Sequence, residues 1–161
     1  MKVRRAVLGD ESIVRDLRLA ALADSPEAFN STLEHESACT AAEWSRWISN
    51  GATFLLEGSD GPKGLVAGVL YDGEPSARLL MAMWVEPRLR GTGAAAALVG
   101  SVVAWAKAEG AAEVVLHVGK HNDRARRCYE RAGFRETGHG FISEWTGVEE
   151  VEMRRSLGGE R

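Results

Sequence analysis

The stretch "VEPRLRGTGAAAAL", residues 85 to 98, constrains this chain more than any other. It reads as the end of a strand, a Pro-marked turn, a glycine pair and the start of an alanine-rich helix. Glycines carry no Cβ, so the backbone there can come close to a ligand. The first amides of a helix have no partner within it, and the helix dipole places partial positive charge at the same end. Such a turn is suited to an anion. Several unrelated cofactors are held this way, so the rest of the chain has to say which anion is meant.

The 161 residues have the length of a single domain, 1–161. With 45% hydrophobic and 27% charged residues the chain has the profile of a soluble globular protein. A net charge of −3 gives no electrostatic case for nucleic acid as a partner. The longest run of large apolar residues, Leu79 to Val85, is far short of a membrane span. The opening "MKVRRAVLGDES" has basic residues but no apolar segment after them, which argues against a secretory signal. Cys39 and Cys128 are too few for a disulfide framework and read as reduced thiols of a cytoplasmic protein.

The hydrophobic pattern lays out the elements. "KVRRAV" forms a first strand, and Asp10 stands as an N-cap before a helix whose Ile13, Val14, Leu17, Ala20 and Ala21 share a face. "DSPEAF" stops it, because the residue before a proline is pushed away from helical backbone. Thr40 and Glu43 form a capping box before a second helix with Trp44, Trp47 and Ile48 on one face. "ATFLLEG" and "GLVAGVLYDG" read as a hairpin, and "SARLLMAMWVEP" as a third strand. Gly91 to Glu109 is the longest helical segment, with Gly110 closing it. The strand "EVVLHV", a helix begun by Asn122 and ended by Gly133, and one or two closing strands around "VEEVEMRRSL" follow. This order predicts a mixed α/β (α+β) sheet with helices on both sides.

Gly91, Gly93 and Ala96 satisfy a dinucleotide-binding pattern, but the turn is long and Glu113 opens the next strand instead of closing it. No Gly-Lys-Ser/Thr follows, which excludes a P-loop. Arg88, Gly91 and Gly93 instead fit R/Q-x-x-G-x-G/A. After the long helix, "LHVGKHNDRARRCYERAGF" supplies Asn122 at a helix start, Tyr129 seven residues on, and Gly133-Phe134 opening a strand. The two patterns in this order resemble the GNAT superfamily of acyl-CoA-dependent N-acyltransferases, sharply from Trp84 to Phe134 and more weakly from Val3 to Met153. "LADSPEAF" also resembles the linker between the first helices in part of that superfamily.

The resemblance implies that the anion is the pyrophosphate of coenzyme A. It implies a mostly antiparallel sheet flanked by helices, with two splayed parallel strands, Leu79–Val85 and Val114–Val118, holding acetyl-CoA as cosubstrate. Backbone groups of Met83, Trp84 and Val85 are the expected thioester contacts. Amides from Arg90 through Gly91, Thr92, Gly93, Ala94 and Ala95 would cradle the phosphates, with Arg88 and Arg90 adding charge. Asn122 would contact the pantetheine arm, cap its helix, or both. Tyr129 matches the family's general acid. Asn122, Ala125, Tyr129 and Ala132 share one helical face, and a phenol of pKa ~10 stays protonated at neutral pH.

The proton acceptor is less determined. Some histone-type members carry a Glu where this chain has Ala77. In ribosomal-protein N-terminal acetyltransferases a Glu lies five residues before the Asn, and here that residue is His117, a base of suitable pKa or a packed strand histidine. Glu34 and Glu36 are other candidates. His117 and His121 lack helical spacing, and Cys39, His35 and His139 show no ligand pattern, so no metal is expected. Cys128, adjoining Tyr129, is expected on another helical face. Arg124, Arg127 and Arg131 form a stripe read mainly as solvated, with Arg124 also a candidate to reach a phosphate of coenzyme A.

The acceptor site in such proteins is built by the first helices, their linker and the last strands. Trp44, Trp47 and Trp84 could line it or belong to the core. Glu34, Glu36 and Glu144 could attract an amine. "GHGFISEWTGVEE" reads as a short connection that leaves room for a bulky acceptor. A small-molecule amine or a peptide N-terminus are both open as acceptor, and a homodimer is compatible with the resemblance. A non-catalytic acyl-CoA-binding or sensing protein on the same fold is the alternative function.

Overall fold

A computed structural model describes residues 2–158, so both ends of the expected 1–161 domain lie outside the described residues. The chain runs β1 (Val3–Arg5), α1 (Glu11–Asp24), α2 (Leu33–Ser37), α3 (Ala41–Ser49), β2 (Ala52–Leu56), β3 (Gly64–Tyr71) and β4 (Glu74–Val85). Then come α4 (Ala94–Ala108), β5 (Glu113–Gly119), α5 (Asp123–Arg131), β6 (Arg135–Ile142) and β7 (Glu149–Ser156). The strands form a seven-stranded sheet in the order β1-β2-β3-β4-β5-β7-β6. Among the described strands only β4 and β5 pair in parallel.

Each face of the sheet carries its own apolar core. On one face α4 lays Ala94, Leu98, Val99, Val102, Val103 and Ala106 over Leu80, Val114, Leu116 and Met153 of the strands, with Tyr129 and Phe134 joining them. Trp105 of α4 lies flat enough on β3 that a Cβ at Gly68 would come within 2.7 Å of its ring. On the other face α1 and α3 bury Val14, Leu17, Leu22, Trp44 and Ile48 against Leu55, Leu65 and Trp84.

Several local expectations need correction. Asp10 holds the N-cap position of α1, but its carboxylate accepts from Val7 N–H at 2.8 Å and from Arg4 instead of from helix amides. The stripe that α1 buries is Val14, Leu17, Arg18, Ala21 and Leu22, while Ala20 is exposed, because the i, i+3, i+4 register starts one residue later than the alanines suggest. The short α2 was unforeseen; Thr32 Oγ1 starts it by accepting His35 N–H at 3.1 Å. Helix α4 begins at Ala94, because Gly91 and Gly93 have φ of 81° and 93° and make a turn first. Strand β6 extends to Ile142, which shortens the last connection to residues 143–148. The Thr40–Glu43 capping box forms as read.

The parallel pairing of β4 with β5 stops after Ala77–Leu79 against Glu113–Val115. Past that point the strands diverge, so the splay runs through Met81–Val85 and Leu116–Gly119. A bulge in β4 lies in the splayed part, where Ala67 pairs with Met81 and Leu65 with Trp84. Ala82, inside the bulge, has φ of 60°, and no other described non-glycine residue has a positive φ. The extra residue sends Leu80 and Met83 to one face and Met81 and Trp84 to the other.

Candidate active site

The splay opens a cleft of about 830 Å³. One wall is Met83, Trp84 and Val85 of β4. A second is the glycine turn, with Arg90, Gly91, Gly93 and Ala95. The third is the face of α5 that carries Asn122, Ala125, Tyr129 and Ala132, the four positions that helical spacing grouped together.

The turn is built to leave amides unpaired. The first bond of α4 runs from Ala97 N–H to Gly93 O at 3.1 Å, so Ala94, Ala95 and Ala96 have amides with no helical partner. The expected cradle began at Arg90, but Arg90 N–H bonds Pro87 O at 3.3 Å in the preceding turn. The Thr92 hydroxyl donates to Leu89 O and holds the turn closed. Ala94 is buried under the helix, and neither Thr92 nor Ala94 has a side chain in the cleft.

The two expected arginines differ. Arg88 is exposed, pairs with Glu86 at 2.8 Å and does not line the cleft. Arg90 lines it, but its guanidinium donates to Val85 O at 3.0 Å and to Asp24 Oδ2 at 2.7 Å. Asp24 also accepts from Trp84 Nε1 at 3.1 Å. The Trp84 indole, then Arg90, bring its carboxyl down to about 2. Arg90 therefore ties the glycine turn to the end of α1. Three side chains that the stripe and face arguments set aside do line the cleft: Arg124, Arg131 and Cys128. A Cβ at Gly91 would stand 4.0 Å from Arg124 Nη2. Arg124, in the first turn of the helix that Asn122 opens, lines the cleft in keeping with its second reading as a phosphate contact.

Tyr129 is buried and meets Phe134 edge-on, with ring centroids 6.0 Å apart. Burial pushes its phenol well above the ordinary value, and the Cys128 thiol is raised by burial as well. Asn122 Oδ1 accepts Ala125 N–H at 3.2 Å. That bond caps α5 and leaves the Nδ2 donors for the cleft.

His117 is on β5 beyond the last parallel pair but lies outside this cleft. It sits between Tyr71, whose Oη is 3.4 Å from Nε2, and Phe141, at 5.1 Å between centroids. Burial lowers its pKa, so it is neutral near pH 7. Glu150 is buried with Oε2 lacking a partner among the described residues, and burial raises its pKa. Sequence reasoning had not singled it out.

A second cavity, of about 320 Å³, lies on the α1–α3 side, where Met81 lines it from β4. Trp44, Trp47 and Glu36 line it too, while Trp84 lines the first cleft. Both oxygens of Glu36 are bonded to Arg18, at 2.7 and 2.9 Å, so this carboxylate is not free to act. Glu34 and Glu144 are exposed outside both cavities. Trp145, on the last connection, lines this cavity 4.9 Å from His35. Among the described residues no group of three or more His, Cys, Asp or Glu could hold a metal ion. No described helix is long and apolar enough to cross a membrane.

The sequence model of the Acetyltransferase (GNAT) family matches residues 17–134, nearly three quarters of the chain. This chain belongs to the GNAT acetyltransferase family. N-acetyltransferase family 8 member 2 of Rattus norvegicus is 33% identical over 98 residues, 59% of this chain and 43% of that protein. An uncharacterised N-acetyltransferase of Mycobacterium tuberculosis is 44% identical over 59 residues, 37% of this chain and 38% of that protein. The chain thus spans less than half the length of these two relatives. Among solved structures, yncA of Salmonella typhimurium, with its cofactor acetyl-CoA, superposes with a TM-score of 0.82 at 15% identity, covering 100% of this chain and 96% of that one. A ribosomal-protein-alanine N-acetyltransferase from Brucella melitensis gives 0.81 at 16%, covering 98% and 100%. At these identities the likeness is one of fold, and it is the GNAT fold: a mostly antiparallel sheet with one parallel pair.

Proposed function

We propose that this GNAT chain works as one N-acetyltransferase domain that moves an acetyl group from acetyl-CoA directly to a primary amine. The observation that carries the reading is the convergence in one cleft of the glycine turn, the splayed β4 and the Asn122–Tyr129 face of α5. The free amides of Ala94–Ala96, the Cβ-less turn and Arg124 fit a pyrophosphate. The channel along Met83–Val85 fits a pantetheine arm, with Asn122 Nδ2 as a donor. When bound, acetyl-CoA supplies an activated thioester.

Tyr129 holds a proton in the cleft for the departing thiolate. Burial raises its pKa, so it stays protonated until a thiolate leaves beside it, and the same burial would raise the proton affinity of that thiolate. His117, neutral at pH 7, is the proposed acceptor of the amine's proton. A Cys128 thiol raised by burial is a poor nucleophile, which favours direct transfer. The two free thiols accord with work in the reducing cytoplasm.

Calorimetry with acetyl-CoA and, separately, NAD tests the cleft. The reading expects saturable binding of acetyl-CoA and none of NAD. Ala96→Glu, at an exposed first-turn position that lines the cleft, should weaken acetyl-CoA binding by roughly tenfold by placing a carboxylate beside the pyrophosphate. Equal binding by the wild type and this variant would contradict the placement.

A further inference from the structure

The second cavity has a chemistry of its own. Arg18 is 4% and Trp44 3% exposed, and both line it. Arg18 gives Nε and Nη2 to Glu36, and its guanidinium lies 4.8 Å over the Phe29 ring and 5.5 Å over that of Trp47. Its remaining terminal nitrogen, Nη1, is buried without a hydrogen-bond partner among the described residues. The same holds for Trp44 Nε1 and Trp47 Nε1. Three buried, unpaired N–H donors thus come from three residues lining one small cavity.

The acceptors deepest in the cavity are engaged elsewhere, and the carboxylate of Glu43 lies at its exposed edge. Glu36 is consumed by Arg18, Asn30 Oδ1 accepts from the Ser143 hydroxyl, and Glu43, at the exposed edge, accepts Thr40 N–H at 2.9 Å. Met81 and Trp145 supply apolar wall. Buried donors want acceptors, and an aromatic wall wants apolar surface. A polyamine brings only donors and cations to this cavity. A carboxylate attached to an apolar body brings what it lacks.

Resting on the acyltransferase reading above, we infer that this cavity binds the carboxylate end of the acceptor amine. The substrate class is then free amino acids with apolar or aromatic side chains, not polyamines or aminoglycosides. β4 joins the two sites: Met81, before the bulge at Ala82, lines this cavity, and Met83, after it, lines the cleft. An amino acid held here lies on the opposite face of the strand that borders the proposed thioester channel.

The test is acetylation, followed by mass spectrometry, of phenylalanine, methionine and leucine beside phenethylamine, which lacks the carboxylate, and spermidine. The amino acids should exceed phenethylamine by roughly tenfold or more in kcat/KM, with spermidine unused. Trp44→Phe keeps the packing and removes one donor. It should raise KM for phenylalanine several-fold more than KM for phenethylamine and leave KM for acetyl-CoA unchanged. Arg18→Met with Glu36→Met removes the ion pair without stranding either charge, and should do the same more strongly. Phenethylamine or spermidine matching the amino acids would overturn the inference while leaving acetyl transfer intact. Should no amine be acetylated, the parent reading fails. The cavity is then judged by quenching of tryptophan fluorescence: 3-phenylpropanoate binding where 3-phenylpropylamine does not supports it, and the reverse refutes it.

Discussion

Asp24 is the residue on which two parts of the cleft hang. Its carboxylate takes the Trp84 indole from β4 and the Arg90 guanidinium from the glycine turn, and both lower its pKa to about 2. A carboxyl with a depressed folded-state pKa stabilises above its ordinary value of 3.8 and loses that contribution as pH falls toward 2. Asp24→Ala should lower Tm at pH 7 by roughly 2–4 °C, the shift that ~1 kcal/mol makes in a chain of this size. It should also raise KM for acetyl-CoA with kcat nearly unchanged, because Arg90 loses its anchor; steady-state kinetics and a thermal melt check both. The sequence shows Arg90 beside the glycines and suggests a phosphate ligand. What it hides is Asp24, 66 residues away in the chain, which captures that charge. Arg18 and Glu36 were hidden in the same way, since a charged residue on an apolar stripe looks solvated until its partner is seen.

Among the elements, β4 carries the most function per residue. Its bulge turns Met83 into the cleft and Met81 into the second cavity, and holds Ala82 at φ of 60°. A β-branched side chain is disfavoured in that conformation. Ala82→Val should cost about 1–3 kcal/mol in stability and lower turnover by displacing Met83. Ala82→Gly should be tolerated, and denaturant unfolding of the two variants separates strain from side-chain loss. The strands and long helices were legible because apolar periodicity and caps are local signals: Thr40–Glu43, Gly110 and Asn122 all act where they were read. The bulge was not, because its cause is the pairing of Ala67 and Leu65 across β3, which leaves no mark on β4 itself. The five-residue α2 is too short to show a period.

Across the whole molecule, two chambers share β4. The cosubstrate cleft is lined by α4, α5 and the linker after α1, and the donor-lined cavity lies on the α1–α3 side. His117 stands on β5 and lines neither chamber, with Tyr71 and Phe141 against it and Glu152 and Arg154 close enough to act on its charge. Its pKa is lowered by burial, so the unfolded chain binds its proton more readily than the folded one. Stability from this group is complete above the ordinary histidine value of 6.5 and declines as pH falls through it toward the lower folded value. His117→Gln should flatten that decline in a series of melts between pH 7.5 and 5. If His117 is the proton acceptor, the same variant should abolish the acid limb of the rate profile.

The measurement that bears most directly on the account is thiol release from acetyl-CoA, with and without amino acids, by the wild type and Tyr129→Phe. The account predicts release that depends on the amine, and a fall in kcat of about tenfold or more in the variant at unchanged acetyl-CoA affinity. Binding of acetyl-CoA with no release above the no-amine blank would contradict it and leave a non-catalytic acyl-CoA-binding protein. An unchanged rate in Tyr129→Phe would remove Tyr129 from the chemistry.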